Sequence, residues 1–254
     1  MKQFLLPASY NGEPRLTLEG RDFHYIARVL RLQAGDELAA MDTRANHYRL
    51  RLLRVGARDC TVELLPQQPS VEPAQGGVRV TLLQCLPKGR KIDLIVRQAT
   101  EAGVRRIVTL VSDHCVVRAG DDDDGRAARL TRIAREAVQQ SGAARVPLIE
   151  GPRQLASVAR PGESWGTALF FHEKRMDARP LHLLLAGAAQ DVTVLIGPEG
   201  GLSDPEVAIL RGAGFMPAWL GSTVLRVETA AVYALGAVTT ILQEKDAWKV
   251  VEHR

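Results

Sequence analysis

From residue 79 onward, the chain alternates short apolar runs with longer stretches whose apolar residues recur at helical spacing. The run VRVTLLQCL is typical of a buried strand. It is followed by RKIDLIVRQATEAG, whose apolar residues share one helical face: Ile92, Ile95, Val96 and Ala99. Strands that alternate with helices of this length form parallel sheets covered by helices on both faces. The alternation therefore predicts an α/β domain with a parallel sheet over residues 79–254.

The same alternation continues to the end of the chain. Further strands are predicted at RRIVTLVS, VPLIE, TALFFH, VTVLIG and FMPAWLG, and further helices at GRAARLTRIAREAVQQSG, SDPEVAILRGAG and TAAVYALGAVTTILQE. Ser203 and Glu206 have the spacing of a capping box, which marks the start of the helix at SDPEV. Gly142 suits the residue that follows a helix end.

A break in composition separates this part from the beginning of the chain. The segment LPQQPSVEPAQGGVR is rich in proline and glycine, and we predict a linker at residues 71–78. Before it, short apolar bursts with turn residues between them predict strands: PRLTLEG, DELAAMD, HYRLRLLRVG and CTVELL. One short helix is predicted at GRDFHYIARVLRL. Residues 1–70 are therefore predicted to form a small, mostly β barrel domain.

Composition limits the classes of protein that this chain can belong to. No apolar run approaches the roughly 20 residues that span a bilayer, and the N-terminus lacks the pattern of a signal peptide. The three cysteines, Cys60, Cys85 and Cys115, are widely spaced, which argues against a disulfide framework or a zinc site and fits a cytoplasmic location. No metal is expected. The formal charge of +4 and the pI near 9.1 permit a polyanionic partner.

The segment LIGPEGGLSDPEV carries the first candidate site. Gly197, Gly200 and Gly201 lie between a predicted strand end and a helix start, which is where open α/β sheets bind ligands. A tight strand-to-helix turn with no ligand is the alternative. The glycines are not followed by GK[ST], and GxGxxG is absent, so neither a P-loop nor a dinucleotide fingerprint is present.

Two more strand ends carry small or polar residues. LGSTVLRVETAA brings Gly221, Arg226 and Glu228 just before the last helix, and LFFHE ends in His172 and Glu173. Three such strand ends could converge on one ligand. Each residue also has a structural interpretation: His172 as an ordinary surface or core histidine, and Arg226 as the partner of Glu228 or Glu199.

These motifs resemble a known class of enzymes. LLQCLPKGRKIDLIVRQATEAGV, LIGPEGGLSDPEV and LGSTVLRVETAAVYAL resemble the SPOUT methyltransferases, and within them the RsmE family of 16S rRNA (uracil-N3)-methyltransferases. HYIARVLRLQAGDEL is similar to the PUA-like barrel of that family. The resemblance implies a C-terminal α/β domain tied in a trefoil knot, S-adenosylmethionine as cofactor, a homodimer, and the 16S rRNA of the small ribosomal subunit as substrate.

The resemblance also implies site residues. The cofactor-binding residues would be Phe171, His172, Leu195, Gly197, Glu199, Gly200, Gly201, Leu220, Gly221, Val224 and Leu225. Methylation at N3 of a uridine removes a proton and spreads negative charge over the ring oxygens. Arg226 could stabilise that charge, and Glu228 could take the proton or hold Arg226. The resemblance also has departures, at Ala102, Ala143, Ala144 and Thr223. At the last three positions the changes remove polar groups of the family that could touch cofactor or RNA.

Positive charge indicates where RNA would bind. Residues 28–58 hold seven arginines against three acidic residues, a net charge of +4, and residues 79–118 hold eight basic against three acidic residues, a net of +5. Given the resemblance, RNA-binding residues are predicted at Arg28, Arg31, Lys88, Arg90 and Lys91, although such residues can simply be solvated. Two other functions stay open: a non-catalytic rRNA-binding or ribosome assembly protein that keeps the knotted fold, and an α/β enzyme that uses ATP.

Overall fold

The protein divides into two compact units. A computed structural model describes residues 3–67, 78–116, 123–188 and 190–244. The first unit comprises residues 1–75 and 138–144, and the second comprises residues 76–137 and 145–254. The predicted linker at 71–78 lies outside the described residues except for Val78, which packs against the core of the second unit.

A five-stranded sheet forms the first unit. Its strands are β1 (Gln3–Leu5), β2 (Arg15–Glu19), β3 (Glu37–Met41), β4 (His47–Val55) and β5 (Asp59–Gln67). The order is β1-β3-β4-β5-β2, with β1 parallel to β3 and the other neighbours antiparallel. The sheet is a half-barrel, which confirms the predicted PUA-like β architecture.

Alternating residues of these strands build the core of the first unit. Leu50 and Leu52 of β4 are almost completely buried, whereas Arg49 and Arg51, which alternate with them, pair with Glu37 at the surface. This period of two is expected of a strand with one buried face. Residues 138–144 belong to the same unit, where the Gln3 amide donates hydrogen bonds to the carbonyl oxygens of residues 138 and 143, at 3.2 and 2.8 Å.

The predicted helix of the first unit changes its winding partway along. It begins as α1 (Gly20–Phe23) and continues as a π-helix, His24–Val29. The backbone N–H of Leu30 donates to the carbonyl of Tyr25, five residues earlier, at 2.9 Å. Phe23 and Ile26 are buried in the core of the unit, while the end of the π-helix is exposed. Such π segments are uncommon and often occur at functional sites.

The second unit contains a fully parallel six-stranded sheet, as predicted. Its strands are β6 (Arg79–Cys85), β7 (Arg106–Val111), β8 (Leu148–Gln154), β9 (Thr167–Phe171), β10 (Asp191–Ile196) and β11 (Met216–Ala218), in the order β11-β9-β10-β6-β7-β8. The helices are α2 (Lys91–Glu101), α3 (Asp123–Ser141), α4 (Leu181–Leu185), α5 (Asp204–Gly212) and α6 (Val227–Glu244), with a 3-10 helix at Leu155–Ala159. Among the described helices, none has both the length and the apolar character that spanning a membrane requires.

Two apolar layers cover the faces of this sheet. Val194 and Ile196 of β10 join the layer that contains the buried faces of α2 and α6, and Leu195 between them joins the opposite layer with Leu210 of α5. Burying one such side chain completely contributes roughly 1.5–3 kcal/mol. Both faces of β10 are therefore fixed by packing, and only its carboxyl end is free to serve a ligand.

Candidate functional site

A cleft lies at the carboxyl ends of three neighbouring strands of the second unit. We name it the strand-end cleft, and it is lined by Phe171–Glu173 after β9, Ile196–Glu199, Gly201 and Leu202 after β10, Leu220, Gly221 and Thr223–Leu225 after β11, and Val227 and Ala230 of α6. The three strands are adjacent in the sheet order, which brings the loops that follow them together. This is the edge at which open parallel sheets bind ligands.

Two glycines shape the loop after β10. Gly201 has φ +73°, which L side chains rarely adopt, and its N–H donates to the carbonyl of Pro198 at 3.0 Å to close a tight turn. Gly200 instead meets its neighbour closely: a Cβ there would lie 2.9 Å from Cβ of His114. The ring Nδ1 of His114 is also 3.2 Å from the carbonyl oxygen of Gly201. At its glycines the loop thus exposes backbone to the cleft, and between them it contributes the side chain of Glu199.

A buried carboxylate ties this loop to the end of β7. Glu206, only 4% exposed, accepts hydrogen bonds from the backbone N–H groups of Ser203 and Asp113, both at 2.9 Å. Ser203 completes the predicted capping box by accepting from the N–H of Glu206 at 3.4 Å, and its hydroxyl donates to Asp113 at 2.5 Å. The start of α5 and the loop after β7 are therefore one hydrogen-bonded unit.

The cleft is acidic although the chain is basic. Glu173 and Glu199 are the charged residues among its described lining, which includes no lysine or arginine. His172 also lines it and accepts a hydrogen bond from the N–H of Lys174 through Nδ1, at 3.0 Å. No group of three or more potential metal ligands occurs within the described ranges.

Lys91, which does not line the cleft, neutralises part of the negative charge of Glu199. Its ammonium donates to Glu199 Oε1 at 2.6 Å and lies 4.0 Å from Glu228 Oε2. The N–H of Lys88 also donates to Glu199, at 3.2 Å. Partial burial alone would raise the pKa of Glu199, but the hydrogen bonds from Lys91 and backbone N–H groups outweigh it and hold the pKa below its ordinary value.

Arg226 and Glu228, the predicted catalytic residues, flank the cleft without lining it. They sit on either side of Val227, which does line it, at the beginning of α6. Arg226 is exposed, and no carboxylate of the described chain forms an ion pair with it. Glu228 is different: its Oε2 is buried and has no hydrogen-bond partner among the described residues. The sequence left open that Arg226 pairs with Glu228 or Glu199. In the structure both carboxylates pair with Lys91 instead.

The structure brings most of the predicted cofactor residues to one cleft. Those that line it are Phe171, His172, Gly197, Glu199, Gly201, Leu220, Gly221, Val224 and Leu225. Leu195 does not, because alternation along β10 turns its side chain into the opposite apolar layer, where it is fully buried. Gly200 is not among the lining residues either, and the side of it where a Cβ would be placed faces His114.

Sequence reasoning did not commit to several lining residues. They are Glu173, Ile196, Pro198, Leu202, Thr223, Val227 and Ala230. Glu173 follows His172 at a predicted strand end, and that position was the available signal. The others are small or apolar residues that sequence cannot separate from ordinary core residues. Thr223, one of the departures from the family, is thus on the wall of the cleft.

The predicted RNA-binding residues fall into two groups. Arg28 and Arg31 are exposed in the first unit, where the Arg28 guanidinium lies 5.7 Å from the centroid of the Phe23 ring and Arg31 has φ +56°. Lys88 and Arg90 are exposed in the second unit. Lys91 is partly buried and paired with Glu199, which makes it less available to a phosphate than the other four.

Comparisons with known proteins identify the family of this chain. The family model of the RNA methyltransferase domain matches residues 74–239, and that of the RNA methyltransferase PUA domain matches residues 18–65. The protein named ribosomal RNA small subunit methyltransferase E in Mycobacterium bovis is 30% identical over 235 residues, which cover 91% of this chain and 88% of that protein. Its Bacillus subtilis namesake is 26% identical, covering 89% and 90%.

A solved structure extends the similarity to the fold. The crystal structure of ribosomal RNA small subunit methyltransferase E from Neisseria gonorrhoeae bound to S-adenosyl methionine has a TM-score of 0.79 to this chain at 25% identity. The match covers 95% of this chain and 98% of that one. It includes both the half-barrel and the parallel sheet with its helices, the SPOUT architecture that the sequence predicts. The chain therefore belongs to the ribosomal RNA small subunit methyltransferase E family.

Proposed function

We propose that this protein is an S-adenosylmethionine-dependent methyltransferase that methylates N3 of a specific uridine in 16S rRNA of the small ribosomal subunit. One observation carries the proposal most directly. The strand-end cleft combines a side-chain-poor glycine loop with two carboxylates and has no basic residue in its described lining. Such a site favours a ligand with a positive charge and no phosphate. The sulfonium of S-adenosylmethionine fits that requirement.

The lining residues suit the parts of this cofactor. Backbone groups of Gly197, Gly201 and Gly221 are free of side chains that would block the edge of an adenine, and Leu220 and Leu225 offer apolar surface to its ring. Phe171 and His172 would face the methionine end. When bound, the cofactor supplies an electrophilic methyl group. ATP is disfavoured, because Glu173 and Glu199 would repel its phosphates and no P-loop lysine is present.

The chemistry at uracil N3 requires two further groups. The N3 proton must leave, and the negative charge that develops on the ring oxygens must be stabilised. The Glu228 carboxylate, 21% exposed at the edge of the cleft, can take or relay this proton, and its buried Oε2 lies 4.0 Å from the Lys91 ammonium. Arg226, exposed and without an ion-pair partner in the described chain, can turn its planar guanidinium toward the developing anion. We therefore assign Glu228 as proton acceptor and Arg226 as the stabilising cation.

The RNA would be held by exposed basic residues of both units. Arg28 and Arg31 in the first unit and Lys88 and Arg90 in the second are available to phosphates. Since Lys91 already serves Glu199, we reassign it from RNA contact to the charge balance of the cleft. The domain division at residues 70–79, with a PUA-like RNA-binding part before it and a methyltransferase part after it, is included in this proposal.

Two further properties belong to the same proposal. We propose a homodimer, which is supported by exposed apolar side chains at the final helix and the loop before it, Val224, Val232 and Tyr233. We place the activity in the cytoplasm, because ribosomal subunits are its substrate and all three cysteines are free.

Mapping of modified nucleosides tests the function. Mass spectrometry of 16S rRNA from cells with and without the gene should reveal one N3-methyluridine that disappears with the gene and returns with the intact chain. Calorimetry should detect binding of S-adenosylmethionine and not of ATP. If the cofactor fails to bind and rRNA modification is identical in both strains, the alternative of a non-catalytic rRNA-binding or assembly protein replaces this one.

A further inference from the structure

Three charged side chains from separate elements meet beside the strand-end cleft. Lys91 begins α2, Glu199 belongs to the loop after β10, and Glu228 lies in the first turn of α6. The Lys91 ammonium is 2.6 Å from Glu199 Oε1 and 4.0 Å from Glu228 Oε2. We name these three residues the charge cluster. One ammonium faces two carboxylates, so its net charge is +1 − 2 = −1.

Solvent screens this charge only in part. The side chains of Lys91, Glu199 and Glu228 are 32%, 27% and 21% exposed, which places the cluster below the surface but not in a dry core. The Glu228 oxygen nearest to Lys91 makes no hydrogen bond in the described chain, since the ammonium reaches Glu199 instead. Glu173, on the wall of the cleft, adds a further carboxylate. The carboxylates of Glu173, Glu199 and Glu228 therefore carry more negative charge than the Lys91 ammonium balances.

We propose that the charge cluster makes the cleft discriminate between the methyl donor and its product by charge. This inference rests on the proposed function. Methyl transfer breaks the bond between sulfur and the methyl carbon and leaves its electron pair on sulfur, while the N3 electron pair forms the new bond to carbon. The sulfonium cation thus becomes a neutral thioether, S-adenosylhomocysteine, and the N3 proton passes to Glu228 and then to solvent.

The change in charge weakens product binding once the N3 proton has passed from Glu228 to solvent. The donor brings a positive charge that partly balances the cluster, and after that proton has left, the thioether leaves the cluster unbalanced. For an assumed separation of about 10 Å and an effective dielectric constant of about 20–35, a unit charge changes an affinity by roughly five- to fifteenfold. The residues at the edge of the cleft would then promote release of the product and rebinding of fresh donor without any conformational change.

Two variants of opposite sign test this inference. Calorimetry would measure the dissociation constants of S-adenosylmethionine and S-adenosylhomocysteine for the full chain, Glu228→Gln and Lys91→Met. Their ratio, product over donor, should fall about five- to fifteenfold in Glu228→Gln, which removes negative charge. It should rise by a similar factor in Lys91→Met, which removes the positive one. Glu136→Gln is the matched control, since Glu136 pairs with Arg132 on the exposed face of α3 and its loss should leave the ratio unchanged.

The outcomes separate this inference from the proposed function. If both ligands weaken by the same factor in each variant, the cluster has a structural role only and the inference is wrong. If neither ligand binds the unmodified chain, the proposed function itself is rejected. Lys91→Arg keeps the charge and should preserve the ratio. Should Lys91→Met fail to fold, as judged by circular dichroism, the nearly isosteric Glu228→Gln decides alone.

Discussion

Gly200 is the residue at which the backbone of the glycine loop approaches another element most closely. An added methyl group would lie 2.9 Å from Cβ of His114, closer than such atoms approach without displacement. We expect Gly200→Ala to lower the free energy of unfolding by about 1–3 kcal/mol, because the loop or the His114 backbone must move. Chemical denaturation measures the change, and binding of the methyl donor should weaken with it.

Gly212 provides the control for that substitution. It ends α5, and a Cβ there would have no atom within 4 Å. Gly212→Ala should therefore leave stability within about 0.5 kcal/mol or raise it slightly. Equal losses in both variants would show that the close approach at Gly200 is not what limits the loop.

Substitution of Arg226 should separate binding of the methyl donor from catalysis. It is exposed beside the strand-end cleft and lines none of it, so Arg226→Ala should leave the dissociation constant of the methyl donor nearly unchanged. Turnover on rRNA should fall about a hundredfold or more if Arg226 is the cation that we propose to stabilise the developing uracil anion. Single-turnover methyl transfer at saturating RNA measures this. Unchanged turnover would reject Arg226 as a catalytic residue.

At the scale of elements, the cap of α5 holds the glycine loop in place. Ser203→Ala removes the capping hydroxyl and should cost about 1 kcal/mol. Glu206→Gln should cost more, about 2–3 kcal/mol, because an amide nitrogen would then face one of the backbone N–H groups that the carboxylate accepts. Urea denaturation gives both values. A smaller loss for Glu206→Gln than for Ser203→Ala would contradict the bridging role of the carboxylate.

An ion pair between β7 and β8 makes a pH-dependent contribution to the stability of the fold. Arg106 donates two hydrogen bonds to Glu150, at 2.7 and 2.8 Å, and these outweigh burial and lower the pKa of Glu150 from its usual 4.5. A carboxyl group with a lowered pKa stabilises the fold above its unfolded pKa and loses that contribution as pH falls through its folded pKa.

Glu150→Gln should therefore lose about 1 kcal/mol of stability at neutral pH, the upper range for a partly exposed pair. The difference between the unmodified protein and the variant should shrink as the pH is lowered below about 4.5 and vanish in stronger acid. Thermal denaturation across this range measures it. A difference that is constant with pH would mean that packing, rather than ionisation, is responsible.

Sequence patterns predicted the longer elements because each has a regular period over many residues. The buried face of α2 and the capping box at Ser203 were predicted residue by residue and are present. The three-residue strand β1, the five-residue helix α4 and the 3-10 helix were not predicted, since they are too short to display a period. Their positions depend on neighbours that are distant in sequence, such as β3 for β1.

The sequence predicted where the cleft lies, but it did not predict which charged residues pair beside it. Glycines at strand ends located the strand-end cleft, because backbone freedom is visible in sequence. The pairing of Lys91 with Glu199, 108 residues apart, depends on which strand ends become neighbours. For the same reason Leu195 was placed with the ligand, although its position along β10 turns it into the other apolar layer.

At the scale of the whole molecule, the proposed function assigns RNA to the basic surface and the methyl donor to the acidic cleft. Exposed arginines would bind RNA phosphates, so affinity for RNA should fall steeply with salt. Arg28→Ala and Arg31→Ala should each reduce the slope of log affinity against log salt by about one. Arg132→Ala, which removes an arginine already paired with Glu136, should change it less. Fluorescence anisotropy over a salt series measures the slopes. Slopes unchanged in all three variants would exclude Arg28 and Arg31 from the RNA surface.

The periodicity of the sequence does not predict the order of the strands in the sheet. The alternation of strands and helices predicts a parallel sheet, but many strand orders satisfy it, including β11-β9-β10-β6-β7-β8. The trefoil knot was implied by the family resemblance and not by any period or spacing. Proline and glycine interrupt the pattern before residue 79 and predict a boundary there, but no period predicts that residues 138–144 belong to the first unit.

The hydrogen bonds of Glu206 have a consequence for how a small molecule enters the protein. They join the loops after β7 and β10 within the folded core, so this part of the rim of the strand-end cleft acquires its shape when the chain folds. An arriving molecule then has little loop disorder to remove, and the entropy of binding is correspondingly less unfavourable. Capture would be governed by the frequency of encounters in solution rather than by a slow closing motion.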